Sequence, residues 1–149
     1  MKIAIASDHG GYNLKEKIKE FLQDQDYSYQ DLGAFSTHPV DYPDFAFQVA
    51  QGVSGGDYQA GIIICGTGIG VSIAANKVPG IRAALCSDCF SARAAREHND
   101  ANILTLGERV TGPGLAQEIV KAFLSARFQG GRHQGRIDKI TIKEKEICK

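Results

Sequence analysis

Gly61-Ile62-Ile63-Ile64-Cys65, running straight into Gly66-Thr67-Gly68-Ile69-Gly70, is the stretch on which the fold turns. A short apolar run that ends in alternating glycines and passes into a helix beginning near Val71 has the form of a buried strand, a tight turn and a covering helix. Similar runs lie on both sides of it. Residues 2–6, 27–32, 82–86 and 103–106 are rich in strand formers, and their apolar character fits burial on both faces of a parallel sheet. Between them Leu14, Ile18, Phe21 and Leu22 recur at helical spacing, and Phe45, Val49 and Val53 follow the helix start Asp41-Tyr42-Pro43. Further helices begin near Gly68 and Phe90, and a stronger one carries Leu115, Ile119 and Phe123. Alternation of this kind predicts an α/β domain of three layers, α/β/α, around a five-stranded parallel sheet.

The 149 residues fit a single domain with one sizeable core. Lys plus Arg and Asp plus Glu total 17 each, so no global field draws the chain to nucleic acid or to a membrane. No apolar run approaches the length of a membrane span, and residues 1–6 meet the polar Ser7-Asp8-His9 without a secretory segment. Cysteines at 65, 86, 89 and 148 read as thiols of a reducing compartment, so the cytoplasm is the expected location. Ile137, Ile140, Glu144 and Ile147 mark a helix over about 133–147 with a narrow apolar seam. Either a partner subunit covers that seam or the helix lies on its own domain.

Ligands of open parallel sheets bind beyond the carboxyl ends of the strands, which directs attention to residues 7–11 and 65–70. The glycines of the second loop let backbone amides approach an anion, and the helix start adds partial positive charge. The GxGxG spacing after the third strand is not a dinucleotide fingerprint, and the Lys-Ser/Thr of a P-loop is lacking. Cys65, at a strand end and helix threshold, is placed to act as base or nucleophile, although cysteine also ends buried strands without any chemistry. His9 beside Asp8 offers an acid-base pair or a phosphate contact, while His98-Asn99-Asp100 closes a helix; His38 and His133 carry less signal. Arg132 and Arg136 are four residues apart, side by side on a helix and able to clamp a phosphate, with Arg109 a third candidate. Seven Lys or Arg against three Asp or Glu from residue 123 onward also fit a solvated basic tail. Cys86-Ser87-Asp88-Cys89 has no second ligand pair and reads as neither a zinc nor a redox site.

Ser7-Asp8-His9-Gly10-Gly11, Cys65-Gly66-Thr67-Gly68-Ile69-Gly70, Ala74-Ala75-Asn76-Lys77, Glu97-His98-Asn99-Asp100-Ala101-Asn102 and Gly130-Gly131-Arg132-His133-Gln134-Gly135-Arg136 together resemble the type B ribose-5-phosphate isomerases, in that family's order and over nearly the whole chain. The resemblance implies a Rossmann-like domain, a homodimer or dimer of dimers, and interconversion of ribose 5-phosphate and ribulose 5-phosphate in the pentose phosphate pathway, without metal or organic cofactor. It further implies that Cys65 accepts the proton, that His98 donates one in ring opening and that Thr67 assists. Asp8, His9, Gly66, Thr67, Gly68, Ile69, Gly70, Asn99, Arg109, Arg132 and Arg136 fall on the family's ligand-binding positions. A branch of the family with a glutamate base beyond the glycine loop does not fit, because positions 71–73 read Val-Ser-Ile.

The chemistry agrees with that assignment. Isomerising a sugar means removing a proton from carbon beside a carbonyl, holding an enediolate and opening the ring; a thiolate next to clustered amides supplies the first two. Neighbouring expectations are isomerisation of allose 6-phosphate or galactose 6-phosphate, and a non-catalytic sugar-phosphate sensor, which would not need Cys65, Thr67 and His98 together. Chain direction adds one more. Cys65 and His9 follow strands, whereas His98 ends a helix and precedes the fifth strand, so the two groups are expected at opposite sheet edges and a two-fold dimer is needed to unite them.

Overall fold

The computed structural model describes all 149 residues, Met1–Lys149. In chain order the elements are β1 (Lys2–Ser7), α1 (Tyr12–Asp24), β2 (Ser28–Asp31), α2 (Tyr42–Ser54), β3 (Ala60–Cys65), α3 (Ile69–Ala75), β4 (Ala83–Leu85), α4 (Cys89–Asn99), β5 (Ile103–Gly107), α5 (Pro113–Ser125) and α6 (Arg132–Ile147), with a single 3-10 turn at His9–Gly11 before α1. Proline stands in the first turn of α2 and α5, where a missing N–H costs nothing. The Asp88 carboxylate starts α4 by accepting the Ser91 amide at 2.7 Å.

All strand pairings are parallel, and the sheet order is β2-β1-β3-β5-β4. Side-chain alternation sorts the strands into two cores. Ile3, Ile5, Ile62, Ile64, Leu104 and Leu106 face α1, α4 and α5. Ala4, Ala6, Ile63, Cys65 and Ile103 face α2 and α3. Small residues on the second face let α2 sit close: a Cβ at Gly61 would lie 2.6 Å from Val49 Cγ1. The crossovers after β1 and β3 leave for opposite faces, so the crevice between these neighbouring strands is the topological switch point.

The five expected strands all form, but not all are buried on both faces. β2 and β4 are short edge strands with half-exposed side chains, because only one neighbour covers each. Helix α4 runs to Asn99, so His98 and Asn99 belong to its last turn, and Asp100 follows it. Along the tail seam Ile137 is buried, whereas Ile140 and Ile147 are 58 % and 71 % exposed. Glu144 pins α6 by accepting the Gly80 amide at 2.9 Å.

One buried charge was not foreseen. Lys15 of α1 is fully buried, with its ammonium donating to both Asp31 carboxylate oxygens at 2.8 and 3.0 Å and to the Ala34 carbonyl at 2.6 Å. Lys19 meets the same carboxylate at 2.8 Å. Burial alone pushes the Asp31 carboxyl up, but the Lys15 and Lys19 hydrogen bonds outweigh it and hold the group below its ordinary range.

Candidate active site

The crevice is lined by two loops that touch each other. After β1, the Asp8 carboxylate is buried and accepts the Gly11 amide at 3.1 Å, closing the turn that leads into α1. Gly11 is obligatory because a Cβ there would sit 2.5 Å from the Ile64 carbonyl oxygen of β3. His9 Nδ1 accepts the Val40 amide at 3.1 Å. That bond implies that the neutral ring carries its proton on Nε2, the nitrogen left to meet a ligand.

After β3, Cys65 is 5 % exposed and its Sγ accepts the Gly68 amide at 3.0 Å. Gly68 has a left-handed backbone, φ +79°, which turns its N–H back toward the sulfur, and its carbonyl is held from below by the Thr105 hydroxyl at 3.0 Å. Two backbone bonds strap this loop to the end of β5: the Glu108 amide donates to the Cys65 carbonyl at 2.9 Å and the Arg109 amide to the Gly66 carbonyl at 3.0 Å. The Arg109 guanidinium lies over Gly66, where a Cβ would be 3.2 Å from Cζ. Thr67 is exposed, and its Oγ1 accepts the Ile69 amide at 3.2 Å. Asp8, His9, Cys65, Gly66, Thr67, Gly68, Ile69, Gly70 and Arg109 therefore share one edge of the sheet.

His98, Asn99, Arg132 and Arg136 do not join them. They gather at the amino edge, where α4 ends just before β5 begins and α6 starts. Gly107 pairs with Cys65 and Ile103 with Gly61, so the amino end of β5 lies roughly 13 Å from the thiol's end at about 3.3 Å per residue. Arg132 and Arg136 stand one turn apart on α6, both exposed, and the Asn99 carbonyl accepts Arg82 Nε at 3.0 Å. A single chain thus carries the two groups of residues on opposite edges of its sheet.

Two side chains beside these groups carry little signal in the sequence. His133, set aside as uninformative, stacks on His98 with ring centroids 4.5 Å apart and planes 12° from parallel. Burial, then the charges of His98, Arg132 and Arg136, push its proton affinity below the ordinary histidine range. The hint was its place between the two arginines. Tyr42, taken only as part of a helix start, lays its ring against Gly70, where a Cβ would be 2.7 Å from Cζ. Its signal was the aromatic ring at the carboxyl edge. No three His, Cys, Asp or Glu side chains converge where they could hold a metal ion, and no helix is long and apolar enough to cross a membrane.

A parallel α/β/α domain with a buried thiol under a loop amide at its switch point defines an enzyme of the Rossmann-like class. A profile of the ribose/galactose isomerase family matches residues 3–140. The chain belongs to that family and is an aldose-ketose isomerase. It is 50 % identical to the ribose-5-phosphate isomerase B of Escherichia coli, over 96 % of each chain. It is 45 % identical to the D-erythrulose-4-phosphate isomerase of Pectobacterium atrosepticum, over 97 % of this chain and 95 % of that one. The structure of Clostridium thermocellum ribose-5-phosphate isomerase B superposes with a TM-score of 0.97 at 58 % identity, covering 99 % of both chains.

Proposed function

We propose that the protein interconverts D-ribose 5-phosphate and D-ribulose 5-phosphate in the cytoplasm, as a step of pentose phosphate metabolism, by proton transfer through an enediolate. The observation that carries this reading is the buried Cys65 sulfur accepting the Gly68 amide at 3.0 Å at the end of β3. As thiolate, Cys65 takes the proton from C2 of the open-chain aldose, the enediolate oxygen meets the amides of residues 66–70, and the proton returns to C1 to give the ketose. Ring opening falls to His98 with Thr67, and the phosphate to His9, Arg109, Arg132 and Arg136, with Asp8 and Asn99 contacting the sugar. The carbon-bound proton moves from C2 to C1 and the hydroxyl proton from O2 to O1, so substrate and product are isomers and the reaction needs no oxidant.

The test is the purified protein with ribose 5-phosphate, allose 6-phosphate, galactose 6-phosphate and a four-carbon ketose phosphate, following aldose-ketose conversion. Ribose 5-phosphate is expected to have the highest kcat/KM. Turnover of none would favour a sensor, and a higher value for another sugar would transfer the assignment to it. Arg136→Ala is expected to raise KM about tenfold or more, as loss of a charged phosphate contact does, and to weaken competition by inorganic phosphate. Equal phosphate inhibition of both proteins would return Arg132 and Arg136 to a solvated tail.

The same reading requires two subunits. His98 and Asn99 at the amino edge serve a sugar on Cys65 only if a two-fold dimer brings one chain's amino edge to the other's crevice. The uncovered Ile140 and Ile147 of α6 and the exposed Ile69 and Ile73 of α3 are apolar surface for such contact. Mixing inactive Cys65→Ala with inactive His98→Asn under subunit exchange should restore about a quarter of wild-type activity, because half the dimers become mixed and each has one intact site. Exchange proven by mass spectrometry without recovered activity would defeat the shared site.

A further inference from the structure

Glu108 follows β5 directly and has been given no part in the reaction. Its carboxylate reaches the start of α1: Oε2 accepts the Leu14 amide at 2.8 Å and Oε1 accepts from Asn13 Nδ2 at 3.4 Å. Leu14 is in the first turn of α1, where amides have no partner within the helix. The preceding Gly11 supplies no capping side chain, and the first turn of α1 holds no acid of its own. A carboxylate from 94 residues away fills that place and complements the helix dipole.

Glu108 is therefore tied on both sides of the crevice. Its own amide is bonded to the Cys65 carbonyl, and the 107–111 turn closes as the Val110 and Thr111 amides donate to the Gly107 carbonyl at 3.1 and 2.9 Å. Arg109 stands in the middle of that turn. Its side chain is exposed yet lies across Gly66, within 3.2–3.3 Å of a Cβ built there. An exposed arginine has many rotamers to lose, so the orientation of the backbone from which it springs decides how often it covers the loop.

We propose that Glu108 is a positioning residue: by fastening the 107–111 turn to the first turn of α1, it holds the Arg109 guanidinium over Gly66 beside the Cys65 thiol. This rests on Arg109 being a substrate-phosphate contact. Because α1 begins immediately after the Asp8 and His9 loop, the same carboxylate sets the spacing between that loop and the arginine.

Four variants of the full-length protein test it: Glu108→Asp, Glu108→Gln, Arg109→Ala, and Glu108→Asp combined with Arg109→Ala. Glu108→Asp keeps the charge but is one methylene too short to reach Leu14, and should raise KM about fivefold to tenfold with kcat within about twofold, the mark of lost uniform binding. Glu108→Gln keeps an acceptor for the Leu14 amide and should stay within about twofold of wild type in KM. With Arg109 already alanine, Glu108→Asp should add less than about twofold, because residues acting through one another are not additive. A wild-type KM for Glu108→Asp, or the same multiplicative loss in both backgrounds, would overturn the proposal while leaving the site intact. An unchanged KM for Arg109→Ala would instead remove Arg109 from the site, and the role of Glu108 with it.

Discussion

Cys65→Ala is expected to lower kcat by about three orders of magnitude, within the range a positioned base contributes, while the affinity for a non-reacting sugar phosphate stays within a few-fold of wild type. The separation follows from how the loop is built. Removing the sulfur deprives the Gly68 amide of one acceptor, but the backbone bonds from Glu108 to the Cys65 carbonyl and from Arg109 to the Gly66 carbonyl do not involve the side chain. The Thr105 hydroxyl continues to hold the Gly68 carbonyl. The amides that would meet the enediolate oxygen therefore keep their places, and only the proton acceptor is lost. Stopped turnover in deuterated water gives an independent measure, since exchange of the C2 proton should cease with the thiol. Turnover within about tenfold of wild type would move the base to another residue.

The largest effect on stability is expected from Asp31→Ala. It leaves the Lys15 ammonium, fully buried, with the Ala34 carbonyl as its main partner. Breaking a buried pair by removing one member costs about 3–5 kcal/mol. The lower end applies here because Asp31 is partly open and shared with Lys19, so the midpoint of thermal unfolding should fall by about 6–12 °C. Asp31→Asn, which keeps an acceptor, should lose less. The pH dependence has a defined sign: the carboxyl is held below its unfolded value, so its contribution is complete above about pH 4 and is lost as pH falls through the folded value. The acid-side decline of the midpoint should accordingly be shallower in Asp31→Ala than in wild type. A midpoint within about 2 °C of wild type would mean that Lys15 finds other partners.

The domain class, the five strands and all six helices were legible in the residues because their signals are local. Short apolar runs in 61–65 and 103–106, helical spacing in Leu14-Ile18-Leu22 and the glycines of 66–70 act over a few positions, through backbone sterics and the facing of neighbouring side chains. The separation of Cys65 from His98 was legible for the same reason, since strand and helix direction alone puts them on opposite edges of the sheet. Other features depended on contacts between residues far apart in the chain. That β2 pairs only with β1 and β4 only with β5 leaves both edge strands half-open, where apolar composition had promised burial on both faces. Lys15 sits among the apolar positions of α1 and reads as an ordinary charged residue until Asp31 and the Ala34 carbonyl meet it. His133 on His98, Tyr42 on Gly70 and Glu108 on the first turn of α1 are likewise pairs that no local pattern announces. A side chain's periodicity reports which way it faces, but the partner that makes burying a charge or fixing a ring favourable is supplied only when distant segments pack together.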